Sequence, residues 1–118
     1  MQGLRILEVK AKQRWKVVFK DKPHWQLGIY VPENEDFGNI RFLEKHNCPE
    51  MFYLVRGKIV LVLSNGERLE EIEMKEGIIY IVECWHNAYR PRGAPGVALV
   101  VERSDVETEY RPLSEFKP

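Results

Sequence analysis

The 118-residue sequence predicts an all-β domain, an antiparallel sandwich or a small barrel. Three observations lead there. About nine short segments are rich in β-branched and aromatic residues. Gly, Pro, Asn or Asp bounds most of them. No stretch has the length and 3.6-residue period of a long helix.

In chain order the strand segments are "RWKVVF", "WQLGIYV", "NIRFL", "MFYLV", "KIVLVL", "RLEEIEM", "IIYIV", "NAYR" and "VALVVE". Gly57 marks a tight turn between "MFYLVR" and "KIVLVL". "SNGE" at 64–67 is a hairpin turn, because Asn-Gly accepts the positive φ angles that a type I′ turn demands. "MKEG" at 74–77 supplies another turn, and "RPRGAPG" at 90–96 a wider loop. "RLEEIEM" mixes Leu69, Ile72 and Met74 with charge, which predicts an outer strand with one wet face. "IIYIV" and "VALVV" are apolar throughout and are expected in the interior. Residues 25–103 then form the barrel, 1–24 an N-terminal edge or dimer segment, and 104–118 a C-terminal tail.

Composition bounds the function. Hydrophobic residues make up 44% and charged residues 31%, as in an ordinary globular domain. Eighteen basic residues balance eighteen acidic ones, which argues against a general nucleic-acid or membrane-surface binder. No apolar run approaches the ~20 residues that span a bilayer. The start "MQGLRILEVKAKQRWK" lacks an apolar signal core, so the expected location is the cytoplasm. Cys48 and Cys84 are too few for a disulfide scaffold.

The chemistry concentrates in "EKHNCPEMFYLVRG" at 44–57. Glu44, His46, Cys48 and Glu50 occupy alternate positions, which places potential metal ligands on one side of a strand. Glu50, followed seven residues later by Gly57 and preceded four residues earlier by His46, resembles the first motif of the cupins. Gly77 matches the start of their second motif, but the position of its histidine holds Ala88, with His86 two residues early. Within the cupins, "EMFYLVRGKIVLVL", "IEMKEGIIYIV" and "VALVVERSDVETEYRPL" are similar to the 3-hydroxyanthranilate 3,4-dioxygenase family over roughly 25–116.

The resemblance implies a double-stranded β-helix, the cupin jelly roll, assembled as a homodimer through its N-terminal strands. It places that family's iron glutamate on Glu50, and two iron histidines on Glu44 and Ala88, where this chain has none. One substrate-binding arginine falls on Arg92 and another on Ile40, and a glutamate falls on Glu102. The ligand set is therefore altered. His46 and Glu50 with Glu44 or His86 would suit iron, manganese or zinc, with open positions for a substrate. A rival set pairs "HNC" with "CWH", so that Cys48, Cys84 and two histidines close a structural zinc site. Arg92, with Arg90 on the same parity, is expected to grip a substrate carboxylate. Alternatively, Arg92 pairs with Glu102 inside the barrel.

Three functions follow. The first is a small metal-dependent, dioxygenase-like or isomerase-like cupin acting on a carboxylate-bearing metabolite. The second is a ligand-binding or sensing module that has lost its metal and keeps an apolar pocket around Phe52 and Leu54. The third is a metal-free isomerase or lyase with His46 or Glu50 as base.

Overall fold

A computed structural model describes residues 1–118 as ten strands in two five-stranded antiparallel sheets. The strands are β1 (Trp15–Asp21), β2 (Trp25–Tyr30), β3 (Phe42–His46), β4 (Glu50–Gly57), β5 (Val60–Ser64), β6 (Leu69–Glu73), β7 (Ile79–Val82), β8 (Trp85–Tyr89), β9 (Gly96–Arg103) and β10 (Thr108–Pro112). One sheet has the order β1-β2-β9-β4-β7 and the other β10-β3-β8-β5-β6. No helix is long and apolar enough to cross a membrane.

Strand parity builds the core. Along β4, Glu50, Phe52 and Leu54 are buried while Met51, Tyr53 and Val55 are half-buried, so one face points inward. Phe52, Leu54, Ile59, Leu61, Met74, Val82, Ala88, Ala98 and Val100 form the main cluster between the sheets. A smaller cluster of Ile40, Leu43, Val62 and Phe116 lies under the C-terminal segment. Asn65-Gly66 turns β5 into β6, with Gly66 at φ 114° and the Asn65 side chain accepting from the Glu67 N–H. The turn is not the expected type I′: Asn65 does not take a positive φ, and the loop runs four residues between Ser64 and Leu69. Gly57 also turns the chain, but β4 and β5 belong to opposite sheets, so the turn carries the chain across the sandwich. Its φ of 80°, with the Pro95 carbonyl oxygen 2.0 Å from where a Cβ would stand, admits only glycine.

One expectation is overturned. "IIYIV" is not interior: Ile79 is 61% and Ile81 60% exposed, and only Tyr80 and Val82 turn inward. The cause is position. β7 is an edge strand bonded only to β4, so its outer side chains have nothing over them. "VALVV" sits in β9 between β2 and β4, where Val97, Ala98 and Val100 are buried. The tail adds β10 beside β3, and Thr108 comes into register with His46. Residues before Trp15 form no strand. Their attachments include Arg5 over the Phe19 ring and Arg56 donating to the Val9 carbonyl.

Candidate metal centre

A cavity of about 230 Å³ opens between the sheets, and its polar residues come from several strands. Glu44 and His46 are two apart on β3 and share its inward face. His86 of β8 is the register partner of Glu44. Glu50 opens β4, and Glu102 lies on β9 opposite Gln26 of β2. Trp15, Tyr30, Phe52 and Val100 supply apolar walls.

The two imidazoles converge on one oxygen. His46 Nε2 and His86 Nε2 each lie 2.9 Å from Glu50 Oε1, and 3.7 and 3.8 Å from Glu44 Oε1. The other ring nitrogens are held from behind, His86 Nδ1 by the Cys84 carbonyl oxygen and His46 Nδ1 by Thr108 Oγ1, both at 2.9 Å. A carbonyl only accepts, so the proton of a neutral His86 ring sits on Nδ1 and its Nε2 presents a lone pair to Glu50. Glu50 Oε1 is fully buried, and the candidates to satisfy it are the two imidazoles, as donors if protonated at Nε2, or an ion held between them. Two acceptors at 2.9 Å require a proton or a cation between them. Backing a ring Nδ1 with a fixed acceptor while Nε2 faces a carboxylate is the arrangement that orients metal-binding histidines. The donor set fits a divalent ion. Glu44, His46 and His86 present ligand atoms within 4.8 Å of one another, as do His46, Glu50 and Glu102.

The titration behaviour follows from the same contacts. Burial alone would lower the His46 pKa, but Glu44 and Glu50 together outweigh it and push the imidazole up to about 10. Burial likewise opposes ionisation of Glu50, yet the two histidines hold it down at about 2. Glu102 goes the other way, to about 7, through burial and the neighbouring Glu50 charge, partly offset by Gln26. Gln26 Nε2 donates to Glu102 Oε2 at 2.6 Å, which leaves Oε1 to carry a proton near neutral pH. Gln26 Oε1 is buried without a partner and calls for a donor from within the cavity.

The structure thus gathers Glu44, His46, Glu50 and His86, with Glu102 beside them and Phe52 edge-on to His86 at 5.9 Å. Several sequence expectations fail. Arg92 is exposed in the turn after β8, at φ 54°, and does not line this cavity. Glu102 is therefore not its partner; it faces Gln26 and Glu50. Arg90 is half-buried and clamps loops, donating to the carbonyls of Pro32 at 2.7 Å, Gly93 at 3.1 Å and Ala94 at 2.9 Å. Ile40 belongs to the smaller core cluster. The thiol-based zinc set does not assemble, since neither cysteine joins a ligand cluster and Cys84 packs against the main core.

Reasoning from sequence missed Arg14, Gln26 and Thr108. Gln26 had a signal, because it shares parity with Gly28 and Tyr30 on a strand whose other face is apolar. Thr108 had none, because its role depends on the register of β10 against β3.

No protein-family model matches the chain, and no curated protein matches it in sequence. Solved structures do. A cupin-like protein from Thermotoga maritima superposes with a TM-score of 0.66 at 14% identity, over 92% of this chain and 89% of the other. The polyketide cyclase RemF from Streptomyces resistomycificus gives 0.63 at 16% identity, over 84% and 69%. HppE, solved with Co(II) and substrate, gives 0.63 at 16% identity, over 83% of this chain and 57% of that one. The two sheets and these likenesses establish the fold as the cupin jelly roll.

Proposed function

We propose that this chain is a small metal-dependent cupin enzyme that acts on a compact carboxylate-bearing metabolite. The observation that carries the reading is the convergence of two imidazole nitrogens on one buried carboxylate oxygen, Glu50 Oε1, each at 2.9 Å. His46, His86 and Glu50 would hold the ion, with Glu44 as a further carboxylate. Two imidazoles with carboxylates and no thiolate suit iron(II) or manganese, and zinc after them. Such an ion supplies Lewis acidity and, if iron, oxygen chemistry. The similarity of "EMFYLVRGKIVLVL" to the 3-hydroxyanthranilate dioxygenases supports the oxygen-dependent branch.

The chain's own residues do the rest. Thr108 and the Cys84 carbonyl orient the two rings. Trp15, Tyr30 and Phe52 narrow the cavity around the cluster. Glu102 Oε1 holds or releases a proton beside the ligand, with Gln26 fixing the other oxygen. RemF and HppE, whose names mark a cyclase and a metal- and substrate-bound protein, support a catalytic use of this barrel. We also propose a homodimer, with a contact at the β7 edge in place of the N-terminal strands, because Ile79 and Ile81 stand uncovered there, at the opposite edge of the sheet from β1.

A second reading has one observation behind it. A protonated His46 would also satisfy Glu50, so the barrel is compatible with a metal-free ligand-binding module. Elemental analysis of untagged protein decides between them. The expected result is about one metal ion per chain in the native protein and none in Glu50→Ala. Metal-free protein that takes up no iron, manganese or zinc on reconstitution would leave the binding module as the function.

A further inference from the structure

We propose that Arg14 is the anion anchor of this cavity and fixes the direction in which a ligand enters. The inference rests on reading the cavity as a ligand site, but not on a metal being bound there. Arg14 is the one lysine or arginine among the residues that line it. On the floor the carboxylates of Glu44, Glu50 and Glu102 surround two imidazoles, which partner them, whereas the arginine has no buried counter-charge. An anionic group is attracted to the arginine.

The guanidinium is held in place yet available. The Arg14 carbonyl accepts from the Val31 N–H at 2.9 Å, which fixes the backbone just before β1. The side chain stands 6.0 Å from the centre of the Tyr30 ring, a cavity wall. Its acidic partner is Glu33, at 3.7 Å, whose side chain is 70% exposed. A surface ion pair of this kind contributes little, so a ligand carboxylate can replace it through two parallel N–H···O bonds. Arg14 also borders a smaller neighbouring cavity, so the residue stands between the two.

A polarity gradient results. The carboxylate of a ligand stays with Arg14, its apolar body lies against Trp15, Tyr30 and Phe52, and its other end reaches the cluster on Glu50. A volume of about 230 Å³ limits the body to roughly one ring. The ligand class is therefore a compact monocarboxylate with an apolar middle, bound acid end outward.

Benzoate and its neutral counterpart benzamide test this by titration calorimetry, each against metal-loaded and chelator-treated protein. Wild type is expected to prefer benzoate at least tenfold in both states. Arg14→Gln should bind the two alike, and Arg14→Lys should keep a reduced preference. Retention of the preference in chelator-treated wild type separates the anchor from the metal reading. If the preference survives in Arg14→Gln but disappears with the metal, the ion is the anchor and the proposal fails while the metal reading stands. Equal affinity for both probes in wild type, or binding of neither, also overturns it.

Discussion

Replacing Glu50 by glutamine tests the centre most directly, because it removes the charge and keeps the shape. If Glu50 holds a divalent ion, metal added at a hundred times its dissociation constant stabilises the native protein by about 2.7 kcal/mol. Unfolding entropy of about 2.1 cal/mol/K per residue, over 118 residues, makes each kcal/mol worth about 4 °C in Tm. The native protein should then gain about 11 °C. Disturbing even the partners behind a metal ligand lowers affinity by up to about a hundredfold. A hundredfold loss in Glu50→Gln leaves the same metal concentration equal to Kd, a stabilisation of about 0.4 kcal/mol and about 2 °C. The assay is scanning calorimetry of chelator-treated protein with and without manganese, iron(II) under anaerobic conditions, or zinc. Cys48→Ser and Cys84→Ser should keep the native shift, since neither thiol joins the cluster. An equal shift in native protein and Glu50→Gln would refute the reasoning, because the ion would then be bound elsewhere.

Two further outcomes follow from the same structure. In chelator-treated protein, Glu50 contributes stability that is present above 4.5 and lost as pH falls towards about 2. Glu102 and His46 have raised values, so their contributions are present below 4.5 and 6.5 and are lost as pH rises through about 7 and about 10. Tm should therefore peak in mild acid and decline to pH 10, and Glu102→Gln should flatten the segment between 4.5 and 7; a peak at pH 8 or above would contradict this. On the outer side of β7, Ile79→Lys with Ile81→Lys should convert a dimer to a monomer in light scattering and leave the chain folded by circular dichroism, since both side chains are exposed within one chain. Its Tm should fall and lose its dependence on protein concentration. A native protein that is monomeric at high concentration would remove the dimer from the proposal.

Much of the fold was legible because the signals were local. Asn-Gly at 65–66 is a turn in any context, and the parity of "EMFYLV" fixes which face of β4 is buried. What escaped was non-local. "IIYIV" has the composition of a buried strand, and only its place at a sheet edge puts Ile79 and Ile81 in the open. Arg92 has the parity of an inward residue on a continued strand, but β8 ends at Tyr89 and a turn at Pro91–Gly93 redirects it. His46 and Glu50 could be found from spacing, whereas Arg14 could not, because the chain folds its position onto the cavity from well before the first motif.

The two histidines stand differently against the cupin motifs, and the sheet brings them together all the same. His46 lies four residues before Glu50, where the first motif has a histidine, whereas His86 lies two residues before the place of the second motif's histidine, which here holds Ala88, buried in the main core. β3 and β8 run antiparallel with Glu44 opposite His86, so a step back along β8 is a step forward along β3, towards His46. A two-residue step keeps His86 on the inward face, about 7 Å along the sheet from position 88, and there both rings lie 2.9 Å from the same oxygen of Glu50. A histidine lost from its motif place has no reason to reappear where it faces the same carboxylate as His46. The convergence is thus the argument for preferring the metal-binding proposal to an empty barrel, and a ligand that reaches such a centre meets Arg14 and Tyr30 and not the turn that carries Arg92.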